Sequence, residues 1–242
     1  MATVLKTVLA QANVGSNPTP SANWNLERGG NADMADYSAL KKKVNELANR
    51  EWDAAAIEAR VKKMVKEGIP RKKLIPEEIL ANKQQILDRV QRRAEEYNFF
   101  LKNCPQGTAL ALLEEFGLGS MEVIKALTPF PSIGGTGKTC GGITGSLIAF
   151  GLYFGSDNPP EPEKVRKAII TAQKFMARFQ ETIGYMLCAD IIEKITIGQR
   201  INPGESEASM AIFAKEKGFE KCGLLPGTGA RLAAEFIIDS MK

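Results

Sequence analysis

A chain of 242 residues with 44% apolar and 25% charged side chains has the composition of an ordinary globular protein, large enough to build a core without disulfide staples. Its 32 basic and 28 acidic residues leave a net charge of only +4, and no run of Lys or Arg exceeds three, which argues against a nucleic-acid or anionic-membrane binder. No segment approaches the roughly 18 uninterrupted apolar residues of a membrane span, since the longest apolar region, Leu147 to Phe154, is broken by Gly151.

Residues 1–33 are rich in Asn, Gly, Ser and Pro and show no periodicity, which reads as a flexible arm. Ala10-Gln11-Ala12 imitates an export cleavage site, but Lys6 interrupts the short apolar run before it, so the expectation is a cytoplasmic chain. Residues 34–97 shift to helix formers. Tyr37, Leu40, Val44 and Leu47 mark one apolar stripe, and Ala56, Val61, Met64 and Val65 a second. After the break at Gly68-Ile69-Pro70, Pro76 followed by Glu77 and Glu78 predicts a helix start, with proline in the first turn and acids at the positive dipole end. That helix runs on through Ile86, Val90 and Tyr97, making 34–97 a helical extension.

From residue 98 to 242 the pattern stays helical but richer in glycine, with helices expected near 105–117, 120–127, 141–154, 161–195, 205–217 and 228–241. Alternating β-branched runs are lacking, so the fold class is all-α, a bundle-like domain behind the extension. Facing helices of such a bundle can supply cofactor ligands.

The chemistry is concentrated in sulfur. There are four cysteines, Cys104, Cys140, Cys188 and Cys222, separated by 36, 48 and 34 residues, and the chain contains no histidine. Only a folded domain could unite them. Asn103 before Cys104 and Pro105 forms a capped helix start, and Cys140 opens a helix after a glycine-rich loop, while Cys222 precedes the last helix. At helix N-termini the free N–H groups favour a thiolate, the form needed for metal ligation and for nucleophilic attack. Gly141, Gly142 and Gly145, with Ser146, place small residues one turn apart, which requires a close approach by a helix or by a cofactor.

Cys140-Gly141-Gly142-Ile143-Thr144-Gly145 resembles the CGAxxG motif of the C-GCAxxG-C-C family of redox-active proteins. The block from Asn103-Cys104 to Glu114-Glu115-Phe116-Gly117, the continuation Ser146 to Leu152, and the order of the four cysteines resemble the family over residues 98–241. Gly142 stands where the motif has alanine, and residues 1–97 lie outside the pattern. The resemblance implies redox function and an iron–sulfur cluster, either [2Fe–2S] or [4Fe–4S], held by Cys104, Cys140, Cys188 and Cys222. Haem, carried by larger relatives, does not transfer, because there is neither histidine nor C-x-x-C-H.

Several chemistries stay open on the residues. Four thiolates suit an iron–sulfur cluster, for which Cys₄ is the usual set. A structural zinc site would normally include a C-x₂₋₄-C pair, which is missing. Paired cysteines could instead run thiol–disulfide exchange without metal, or the chain could be a helical assembly module, with 34–97 forming a homodimer contact. Gly135-Thr136-Gly137-Lys138-Thr139 ends like a phosphate-binding loop, but Ser132 occupies the leading glycine position and no strand is predicted before it. Glu114, Glu115 and Tyr185 are available as proton carriers without any pattern that assigns them, so no catalytic residue is singled out. The expected partner is a redox protein or a small-molecule substrate, for electron transfer or reductive chemistry.

Overall fold

The computed structural model describes residues 37–158 and 161–242, and the expected flexible arm and cleavage signal fall outside the described residues. Among those residues the fold is all-α, and the sole β-type pairing is an antiparallel bridge between Thr139 and Leu187.

The extension begins with α1 (Ser38–Asn49) and α2 (Ala54–Glu67). Val44 and Leu47 of α1 are buried as the stripe requires, with Tyr37 and Leu40 packed against the same core. In α2 the buried face is Ile57, Val61 and Met64, whereas Val65 is 64% exposed, so the expected second stripe is rotated. Spacing explains the correction: 57, 61 and 64 follow the i, i+4, i+7 pattern of one helix face, and Val65 falls one residue past it. Asp53 caps α2 by accepting from Ala56 N–H at 2.9 Å.

Pro76 opens a helix as predicted, but α3 (Pro76–Ala81) stops at Asn82 before α4 (Lys83–Leu101) resumes. Ile86, Val90 and Tyr97 of α4 are buried. The chain then reverses sharply: Lys102 adopts φ 52°, Asn103 accepts from Gln106 N–H at 3.2 Å, and α5 (Cys104–Phe116) runs back along α4. α6 (Met121–Ala126) and an irregular loop lead to α7 (Gly141–Phe154).

The helix expected over 161–195 divides. α8 (Pro162–Ile183) ends at Gly184, whose φ of 89° is left-handed, and Tyr37 packs where a Cβ would stand. An extended stretch follows, then the single turn α9 (Cys188–Ile191), which continues into a π-helical turn over Ile192–Thr196. Next come α10 (Glu207–Lys215), α11 (Gly218–Lys221) and α12 (Leu224–Asp239).

α4, α5, α7 and α12 form the centre, with α12 packed on the other three and α8 laid across α7 and α12. Phe150, Phe175 and Phe236 meet edge to face there, with ring centroids 5.3–6.3 Å apart. The apolar core is shared: Val44, Leu47, Val61 and Tyr97 belong to the same cluster as Leu112, Phe150 and Ile237. A second, small cluster of Ile192, Ile201 and Phe213 lies beside it, flanked by Cys188 and Cys222.

Candidate functional site

The four cysteines arrive on different elements yet share one place. Cys104 is the first residue of α5, Cys140 is the N-cap of α7, Cys188 opens α9, and Cys222 follows α11 immediately before α12. All four are free thiols. Electrostatically they form one unit: Cys104 feels Cys188 and Cys222, Cys140 feels Cys104 and Cys188, and Cys222 feels Cys188 and Cys140. The unit lies where the main core, which contains Cys140, meets the small cluster bordered by Cys188 and Cys222.

Close helix packing creates this convergence. A Cβ on Gly142 would strike the Leu225 carbonyl at the start of α12, and one on Gly145 would lie 2.5 Å from the Pro105 carbonyl of α5. Those two glycines therefore serve helix packing. Gly141 is different, because a Cβ there would collide with the Cys104 sulfur itself. Of the three glycines singled out in the sequence, Gly141 faces the thiol site and Gly142 and Gly145 bring its supporting helices together.

Backbone pairing positions the remaining sulfurs. Cys140 N–H donates to Met186 C=O at 2.9 Å and Cys188 N–H to Lys138 C=O at 2.7 Å, so the loop before α7 and the segment before α9 are clamped side by side. Asn98, itself buried, donates through its side-chain nitrogen to Phe219 C=O at 2.8 Å and fixes the approach to Cys222.

Every sulfur also has a polar neighbour. The N–H of Gly141 faces Cys104, and the N–H groups of Gly142 and Ile143 face Cys140. The Ser132 hydroxyl lies beside Cys188 and the Thr196 hydroxyl beside Cys222. Both hydroxyl residues are buried and both come from irregular backbone: Ser132 has φ 44°, and Thr196 closes the π turn. Sequence reasoning missed this pair. Ser132 stood out only as the wrong residue for a phosphate loop, and nothing in the sequence announces a π turn.

The expected thiolates are not what the isolated protein holds. Burial is the largest influence at every one of the four and raises each thiol above its ordinary value, Cys188 to about 11, while amide and hydroxyl neighbours only partly offset it. The helix-terminus argument had the right sign for the N–H groups, but desolvation of a charged sulfur outweighs them. At neutral pH the metal-free site holds four neutral thiols.

Among the described residues, no three Cys, Asp or Glu side chains are arranged to surround a single metal ion. The phosphate-loop reading gains no support, since a turn with Ser132 and Ile133 at positive φ precedes Gly135-Thr136-Gly137-Lys138-Thr139 instead of a strand. Glu114 accepts from Tyr97 O–H at 2.6 Å, Glu115 pairs with Arg89 at 2.6 Å, and Tyr185 lies 5.8 Å from the Tyr37 ring. The two carboxylates are thereby committed away from the thiols.

An all-α bundle gathering one buried and three half-buried cysteines at the junction of two apolar clusters defines a cysteine-centred protein. The family described as "Putative redox-active protein (C_GCAxxG_C_C)" matches residues 102–236, more than half of the chain, and the chain belongs to that family. No curated protein and no solved structure matches it.

Proposed function

We propose that this redox protein holds an iron–sulfur cluster through Cys104, Cys140, Cys188 and Cys222. The observation that carries the reading is the convergence of four thiols from four separate segments, Cys104, Cys140 and Cys222 each feeling two of the others. Two isolated pairs would have favoured dithiol chemistry, and thiols held neutral by burial are poor nucleophiles at neutral pH. Binding of a cationic metal centre deprotonates coordinating thiols outright, so raised values do not oppose ligation.

The donor set fits the group. Four sulfurs without histidine or a free carboxylate favour iron–sulfur ligation, and a multi-iron cluster spans ligands set farther apart than one ion's coordination sphere. Gly141 leaves room beside Cys104 that any side chain would fill. When bound, such a cluster supplies reversible one-electron storage.

The chain's own residues do the rest. Amides of Gly141, Gly142 and Ile143 and the hydroxyls of Ser132 and Thr196 are hydrogen-bond neighbours of the sulfurs, the kind of contact that sets a cluster's potential.

Anaerobic purification followed by iron, sulfide and zinc analysis and a visible spectrum tests the proposal. Iron and acid-labile sulfide in comparable amounts are expected, with loss of both in Cys140→Ser. Colourless protein with four titratable thiols, unchanged after attempted reconstitution with iron and sulfide, overturns it in favour of dithiol chemistry.

A further inference from the structure

A groove of about 540 Å³ lies between α1 and the π turn, within the size range of small-molecule sites. Its wall includes Lys41, Lys194 and Lys221 and one carboxylate, Glu193, which pairs with Arg200 at 2.9 Å and with Lys194 at 3.3 Å, while Lys221 pairs with Glu216 at 3.5 Å. The local balance is therefore positive, in a protein whose overall charge is nearly even.

The groove is also joined to the thiol site. Thr196 lines it and at the same time places its hydroxyl beside Cys222, while Lys221 is the residue preceding Cys222. Thr196 can do both because Ile192–Thr196 is a π turn, in which the widened backbone carries Ile197 N–H to Ile192 C=O at 2.8 Å. Such turns are costly and occur frequently at functional sites.

We infer that this groove is where a small anionic redox reactant docks to exchange electrons with the cysteine site, by way of Cys222, the sulfur whose neighbours Thr196 and Lys221 line the groove. The inference rests on the redox reading of the four thiols. Lysines at the mouth attract the anion, and Thr196 separates it from Cys222. In each encounter with an acceptor, one electron leaves the reduced site and the acceptor is reduced by one. Where two thiols are the donors, two transfers join their sulfurs as a disulfide and release two protons to water.

The test uses the full chain, reduced under anaerobic conditions, and two one-electron oxidants of opposite charge: hexacyanoferrate(III), an anion, and tris(phenanthroline)cobalt(III), a cation. Hexacyanoferrate(III) should oxidise the protein faster at low than at high ionic strength. The triple substitution Lys41→Gln, Lys194→Gln, Lys221→Gln should slow it on the order of tenfold, within the usual span of electrostatic steering. The cobalt complex should not slow in that variant. The matching Lys→Arg triple variant should keep the hexacyanoferrate(III) rate, which separates charge from folding. An unchanged hexacyanoferrate(III) rate in the Gln variant, or a loss shared equally by both oxidants, overturns the docking site. Iron and sulfide content is measured on the same samples, so the groove can fail with a cluster present and can stand when thiols alone are the donors.

Discussion

Gly141, Gly142, Gly145 and Gly151 occupy one helix but meet four different surroundings, which makes α7 a series of single-methyl experiments. An alanine methyl at 141 would meet the Cys104 sulfur and Pro105, at 142 the Leu225 carbonyl, and at 145 the Pro105 carbonyl and Thr108; at 151 it would meet nothing within 4 Å. Overpacking of a close-packed interior costs about 1–3 kcal/mol, whereas Gly→Ala at an open helical site gains about 0.5–1 kcal/mol. Urea unfolding should therefore show the first three alanine variants destabilised by that amount and Gly151→Ala stabilised. The thiols add a pH effect. Cys188 is raised from 9.0 to about 11 because burial disfavours its charged form. A raised folded value means stability that is complete below the unfolded value and lost as pH rises through the folded one. The melting temperature of metal-free protein should accordingly fall from pH 9 upward, and in Cys188→Ala that fall should be shallower.

At the scale of elements, the turn Ser132–Gly135 is the most strained piece of the site. Ser132, Ile133, Gly134 and Gly135 all have positive φ, and Ile133, β-branched and 41% exposed, has φ 53° and ψ 82°. A side chain there costs roughly 1–2 kcal/mol, which the surroundings must hold in place. They do so through Asn202, which donates to Gly135 C=O at 2.8 Å, and through the pairing of Lys138 with Cys188. Ile133→Gly should relieve the strain, offset by about 0.5–1 kcal/mol of chain entropy, so thermal unfolding should show a stability unchanged or raised by up to about 1 kcal/mol. A clear loss of stability would mean that the exposed isoleucine packs on something essential.

Legibility divides along the same line. α1, α5 and α7 were readable because stripes and caps are local properties: Val44 and Leu47 repeat with the helix, and Asn103 meets its own Gln106 amide. Cys104, Cys140 and Cys222 fall at the helix starts where they are expected, whereas Cys188 opens a separate turn inside the run expected as one helix over 161–195. What stayed hidden depends on distant neighbours. Gly184 breaks a helix-forming run where Tyr37 leaves room for no side chain. The π turn that delivers Thr196, and the desolvation that keeps the thiols neutral, arise only once remote segments are packed together.

In the whole molecule, the shared core and the Tyr97–Glu114 hydrogen bond tie the extension to the family domain, and beside that bond the extension carries a buried charge cluster of its own. Glu96 on α4 accepts from Arg60 of α2 at 2.8 Å, from Arg92 at 3.1 Å and from Arg93 at 2.9 Å, and its side chain is only 11% exposed. Tyr97 beside it bonds to Glu114 of α5, the helix that begins with Cys104, and is buried under Arg60. One carboxylate thus accepts from three guanidiniums next to the joint. Burial opposes its charge, yet the three guanidinium hydrogen bonds together outweigh burial and lower its value below 4.5. Removing one partner of a fully buried ion pair costs about 3–5 kcal/mol, but Arg92 is 77% exposed and water takes up part of the loss. Glu96→Gln should therefore destabilise the protein by about 1–3 kcal/mol in urea unfolding at pH 7. A lowered folded value gives stability that is present above the unfolded value and lost as pH falls through the folded one. The gap between wild type and Glu96→Gln should consequently narrow below pH 4.5 and close in stronger acid. A gap of constant size across that range would assign the effect to packing instead of charge.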